Sequence, residues 1–185
     1  EYYVFSEQAQ GKYYPIGKGY YYEALFWDKM PDFNLDNPKV REEFASIMKF
    51  WLDKGVKGFR LDAVTSFYNQ DVPRNNEFLA WVSDTAKSYK EDAYIIGEAW
   101  SSEGTVLKYY QSGVESFFNF GLSASDGKIA STIRSKKGQD LASALVNYQA
   151  QVKAINPDAL DAPFIPNHDQ GRSAAYFKSD QIIAL

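Results

Sequence analysis

Four short apolar runs, "GFRLDAV" from Gly58, "AYIIGEAW" from Ala93, "SFFNFGLS" from Ser116 and "APFIPNHD" from Ala162, alternate with segments of helical periodicity. That alternation constrains the fold more than any other feature, because strands separated by helices read as βαβ units on a parallel sheet. The clearest helix follows Asn37, a suitable N-cap, with Pro38 in the first turn, Glu42 and Glu43 near the positive end of its dipole and Gly55 as a stop. Val40, Phe44, Ile47, Met48, Trp51 and Leu52 form its apolar stripe. Further helices are expected from about Asn76 to Lys90, with Phe78, Leu79, Val82 and Tyr89 on one side, from about Val106 to Tyr110, and from about Asp140 to Ile155, with Leu141, Leu145, Tyr148 and Val152 on one face. Another helix is expected in "AAYFKSDQIIAL" at the end. The stretch before Asn37 is aromatic-rich, broken by glycine and proline, and reads as irregular.

Both a doubly wound open sheet and a (β/α)8 barrel satisfy the alternation. No GxGxxG or GxxxxGK[ST] follows any strand, which removes the usual nucleotide-binding form of the open sheet. A complete barrel needs about twice the visible units. The chain is expected to be either a small open sheet or a piece of a barrel.

The charge of −4 over 185 residues, with no basic run, argues against a nucleic-acid groove. No apolar stretch is long enough to span a bilayer, and no charged-then-apolar leader follows Glu1. Cysteine is absent, which removes disulfide and thiol chemistry. Aromatic residues make up 17% of the chain; they supply a core, and some are candidates for stacking against the apolar face of a sugar.

Charged residues fall at informative places. On a strand, Arg60, Asp62 and Val64 share one face and Phe59, Leu61 and Ala63 the other. A buried charge is expensive unless paired, so Arg60 and Asp62 are either a structural ion pair or a carboxylate kept ionised for chemistry. Acids recur at the C-terminal ends of three strands: Asp62, Glu98 in "IIGEAW", and Asp169. Ligands and catalysis belong to that edge of parallel α/β folds. Any one such acid is commonly a helix cap or a solvated loop residue; three on one edge are harder to explain so. Glu98, with Ile96 and Trp100 on its side, is expected to be held protonated, and Asp62, held by Arg60, ionised. One carboxyl kept protonated beside another kept charged suits a retaining glycosidase. His168 is the only histidine and cannot build a typical zinc site; beside Asp169 it is placed to bond a substrate hydroxyl. Gly97 leaves room for close backbone approach or for a ligand.

"GFRLDAV", "IIGEAW" and "FIPNHDQGR" resemble three short motifs of the α-amylase superfamily, glycoside hydrolase family 13, and "MPDFN" at Met30 resembles a fourth, in the same order. The resemblance implies a partial (β/α)8 TIM barrel, about strands 4 to 7 with their helices, over residues 35–185, preceded over 1–34 by the end of an insertion domain. It implies Asp62 as nucleophile, Glu98 as general acid/base and Asp169 as the third carboxylate. Arg60 then orients the nucleophile, His168 bonds the sugar at the cleavage subsite and Trp100 lines a neighbouring subsite. The Asp-x-x-x-Asn-His motif of the family does not occur here, and "AVTSF" lacks the Lys-His pair of many α-amylases. The implied activity is retaining hydrolysis of α-glucans, starch or maltooligosaccharides. Exo-acting α-glucosidase, oligo-1,6-glucosidase or transglycosylase action, and a non-catalytic sugar-binding role, are the rivals. No cofactor is expected in these residues; the calcium site of many relatives draws on ligands from the missing motif, so these residues do not test calcium in an intact parent. Nucleic acid and membrane partners are not expected. The piece alone is expected to be inactive, and to self-associate or need the missing barrel strands.

Overall fold

The computed structural model describes residues 1–177. They form two compact units, Glu1–Gly58 with Ser66–Ala93, and Phe59–Thr65 with the described residues from Tyr94 onward.

In the first unit the aromatic stretch is a sheet, not an irregular segment. Strands β1 (Phe5–Ser6), β2 (Tyr13–Gly17) and β3 (Tyr20–Glu23) pair antiparallel in the order β1-β3-β2. Lys18 and Gly19, both at positive φ, make the two-residue hairpin turn between β2 and β3. The strands escape sequence reading because tyrosines occupy both of their faces and erase the period-two contrast. Helix α1 (Pro38–Asp53) starts as expected: the Asn37 side chain accepts from the Lys39 N–H. Its buried line is Val40, Met48 and Leu52, while Ile47 and Trp51 stay exposed, so the stripe is narrower than the periodicity suggests. Helix α2 (Val72–Tyr89) begins four residues before the expected Asn76, capped by the Asp71 side chain on the Arg74 N–H. Phe78, Leu79 and Val82 are buried as expected; Tyr89 is exposed.

The second unit holds β4 (Gly58–Leu61), β5 (Tyr94–Gly97), β6 (Ser116–Asn119) and β7 (Leu160–Pro163), in the order β4-β5-β6-β7. β5 and β6 pair in parallel with Ile96 opposite Ser116, and β6 and β7 with Phe117 opposite Asp161. Each strand lies beside its successor, with no reversal of direction across the sheet. A doubly wound sheet reverses at its switch point; a barrel does not. The order shows no switch point and fits part of a (β/α)8 barrel.

Helices α3 (Glu103–Tyr109), α4 (Lys128–Ser135) and α5 (Gly138–Ile155) connect the strands. α4 has no counterpart in the expected elements, being short and without a side-chain cap on its first turn. The core gathers Ile95, Tyr109, Tyr110, Val114, Phe117 and Val152, all essentially without solvent contact. Tyr110 stitches two strands together: its hydroxyl accepts from the Phe117 N–H and donates to the Leu160 carbonyl, each at 3.2 Å. The terminal helix expected in "AAYFKSDQIIAL" shows a short 3-10 turn at Ser173–Ala175, and positions 178–185 lie outside the described residues.

Candidate active site

The strands are shorter than their apolar runs, and where they end decides the site. β4 stops at Leu61, because Ala63 takes a positive φ of 41°, a region costly for any residue with a Cβ. Asp62 is therefore the first residue past the strand, 75% exposed at its side chain. Val64 is buried in a 3-10 turn, not at the strand's third inward position. Glu98 likewise directly follows β5, yet is only 5% exposed. The backbone locks these two ends together: the Glu98 N–H donates to the Leu61 carbonyl at 2.9 Å, and the Val64 N–H to the Glu98 carbonyl at 3.0 Å. Gly97 is where the ring of Phe117 closes in. A Cβ there would lie 2.5 Å from Phe117 Cε1, so the glycine serves packing and not a ligand.

Arg60 does more than hold Asp62. One arm donates through Nη1 to Asp62 Oδ1. The other, Nη2, lies 2.8 Å from Glu98 Oε1. That second contact is an ion pair out of hydrogen-bond alignment, and buried Oε1 has no aligned donor. The other carboxylate oxygen, Oε2, accepts from the Ala63 N–H at 3.2 Å. One guanidinium thus joins two carboxylates that are 36 residues apart in the chain, and the left-handed turn at Ala63 turns an amide toward the buried one. Sequence reasoning missed Ala63, whose conformation no glycine announces.

Arg60, Glu98 and His168 border a cavity of about 160 Å³, walled by Phe118, Phe164 and Pro166. The three aromatic and proline walls are also unpredicted; their signal lay in the "SFFNF" and "PFIPN" runs. His168 Nε2 stands 3.2 Å from Asp169 Oδ2, and the Asp169 N–H is held by Asn167 Oδ1 at 3.0 Å. Asp169 lies in a turn six residues past β7, not at its tip, and joins the site through His168 without lining the cavity. Its loop is tied back by the Ala124 N–H on the Ile165 carbonyl at 2.8 Å and by Gln170 Nε2 on Ser123 Oγ at 2.9 Å. Trp100, 54% exposed, stacks on Phe120 with centroids 4.6 Å apart and planes within 17°. Such a pair presents one flat open face of the kind that sugars stack against.

Chemically, the arrangement offers a buried and an exposed acidic side chain on one arginine, an imidazole bordering the same cavity, and an aromatic plate two residues beyond Glu98. Among the described residues, no three of His, Cys, Asp or Glu are gathered as a metal ion needs.

Sequence comparison matches residues 4–184 to the family described as the alpha amylase catalytic domain. The chain is 41% identical over 181 residues to Alpha-amylase 3 of Dictyoglomus thermophilum, covering 96% of this chain and 35% of that protein. It is 31% identical over 191 residues to an Oligo-1,6-glucosidase of Parageobacillus thermoglucosidasius, covering 88% of this chain and 33% of that protein. Among solved structures, Eubacterium rectale Amy13B superposes with a TM-score of 0.90 at 40% identity, over 97% of this chain and 36% of that one. The chain spans roughly a third of the length of these relatives.

Proposed function

The chain belongs to the α-amylase catalytic-domain family, and on that premise we propose that the intact protein is a retaining glycoside hydrolase cleaving α-glucosidic bonds in starch or maltooligosaccharides. Residues 1–34 are read as the end of an insertion domain and 35–185 as barrel.

The observation that carries the reading is Arg60, bridging exposed Asp62 and buried Glu98 beside a cavity that His168 borders. In the proposed reaction Asp62 attacks the anomeric carbon while Glu98 gives its proton to the departing glycosidic oxygen. The C–O bond to the leaving sugar breaks as the bond to Asp62 forms. Glu98, now a carboxylate, takes a proton from water, and that water displaces Asp62 to release a sugar of unchanged anomeric configuration. Arg60 holds Asp62 by its ion pair and offsets charge on Glu98 when it has lost its proton. His168 bonds a sugar hydroxyl, Asp169 orients His168 and meets further hydroxyls, and Trp100 carries a sugar ring on the leaving-group side.

NMR of fresh maltopentaose digests tests this. The intact protein should release the α-anomer first, with the β-anomer appearing only by later mutarotation. First release of the β-anomer would mean direct attack by water and would exclude Asp62 as a nucleophile.

A further inference from the structure

Trp100 is the aromatic plate on the leaving-group side in the proposed reaction, and a second ring, Phe120, lies against it. β5 and β6 run parallel with Gly97 opposite Phe117. Counting three residues on from each brings Trp100 beside Phe120, both past their strand ends at the edge that carries the site. Their rings stack at 4.6 Å and 17°. Phe120 thus covers one face of an indole that is otherwise exposed.

Phe120 is itself held at its ring and at its backbone. The ring meets Phe164 edge to face, centroids 5.1 Å apart at 85°, and Phe164 meets Phe118 likewise at 5.6 Å and 76°. Phe118 and Phe164 wall the catalytic cavity, so a line of rings runs from that wall to the indole. The Phe120 carbonyl accepts from the Ser123 N–H at 3.2 Å and from the Ser123 hydroxyl at 3.1 Å. That hydroxyl accepts in turn from Nε2 of Gln170, the residue after Asp169, at 2.9 Å. Phe120 is only half-buried, and a half-buried ring contributes less to a core than a buried one. An exposed indole left alone would sample several rotamers, and holding it beforehand lowers the ordering cost of binding.

We infer that Phe120 is a positioning residue, which holds the Trp100 indole in the plane that receives the leaving-group sugar and so sets how tightly that sugar binds. This role rests on the proposed one of Trp100. Phe120 does not line the catalytic cavity and acts through the indole.

The test compares kcat/KM of the intact protein on maltopentaose, whose leaving group is a sugar, with kcat/KM on α-glucosyl fluoride, whose leaving group is fluoride. Trp100→Ala should lower the ratio of the two about tenfold. Phe120→Leu and Phe120→Met keep an apolar side chain but lose the plane, and each should lower the ratio about fivefold. Phe120→Tyr, which keeps the ring, should hold it within about twofold. On the Trp100→Ala background, Phe120→Leu should change the ratio little further. A ratio that falls for Trp100→Ala but not for Phe120→Leu and Phe120→Met, as when both substrates suffer equally, overturns the inference alone. So does a fall as deep in Phe120→Tyr, or a full further fall on the Trp100→Ala background. A ratio unmoved in Trp100→Ala, or a parent that cleaves neither substrate, removes the underlying reading and the inference with it.

Discussion

Two arginines, one in each unit, contrast a closed structural ion pair with the divided one that the proposed mechanism uses. Arg41 gives both arms of its fork to a single carboxylate, Glu77, at 2.7 and 2.8 Å, while its Nε donates to the Leu35 carbonyl at 2.7 Å. Its guanidinium also lies 5.4 Å from the ring centroids of both Phe78 and Trp81. Every direction is used, and nothing is left for a ligand. Arg60 instead splits its fork between two carboxylates, holds one out of alignment, and faces a cavity. A bidentate pair is the strong geometry, so dividing it sacrifices stability for a second carboxylate. Gathering two acidic side chains on one arginine is a cost that the proposed chemistry explains and packing does not.

The largest effect should come from breaking the divided fork. Glu98→Gln or Asp62→Asn in the intact protein should lower kcat on maltooligosaccharides by roughly a thousandfold or more, whereas Glu77→Gln should leave kcat within about twofold. Arg60→Met should cost kcat about a hundredfold. Added to Glu98→Gln it should cost little further, because groups acting as a unit are not additive.

Stability effects come next. Arg41→Met should destabilise the protein by about 2 kcal/mol in urea unfolding, since it removes a charged fork and a bond to a backbone carbonyl, while leaving kcat intact. Gly97→Ala should cost roughly 1–3 kcal/mol by forcing the buried Phe117 ring aside, and should carry a fall in kcat because Glu98 is the next residue. The smallest effect is in pH. The bond from Arg41, chiefly, holds the Glu77 carboxyl below its ordinary range. A carboxyl lowered in the folded state stabilises above its unfolded pKa, and that contribution is lost as pH falls through the folded value. Glu77 is largely exposed, so solvent screening limits the contribution to about 0.5 kcal/mol. Denaturant midpoints between pH 6 and 3 for parent and Glu77→Gln would reveal it as a difference that shrinks with acid.

The parts of this comparison were unequally legible in the sequence. Arg60, Asp62, Glu98 and His168 stood out because charge beside an apolar strand demands explanation, and the structure brings Arg60, Glu98 and His168 to one cavity with Asp62 on the same arginine. Period-two parity placed Asp62 inside the strand, and it failed because the chain turns left-handed at Ala63, an alanine that gives no local signal. The divided fork was also unreadable: Arg60 was paired with the acid two residues away, and Glu98 comes from another strand. The sheet order could not be chosen from alternation alone, since barrels and open sheets share it. The antiparallel sheet was hidden by tyrosines on both faces, and Phe120, which backs Trp100, looked like any other core aromatic.

The most direct test of the central claim is where a trapped sugar becomes attached. Peptide mass spectrometry of the intact protein after incubation with a slow fluorinated α-glucosyl fluoride should find one glucosyl adduct, as an ester on Asp62. An adduct on a different carboxylate, or sustained turnover with no adduct at Asp62, would contradict the account.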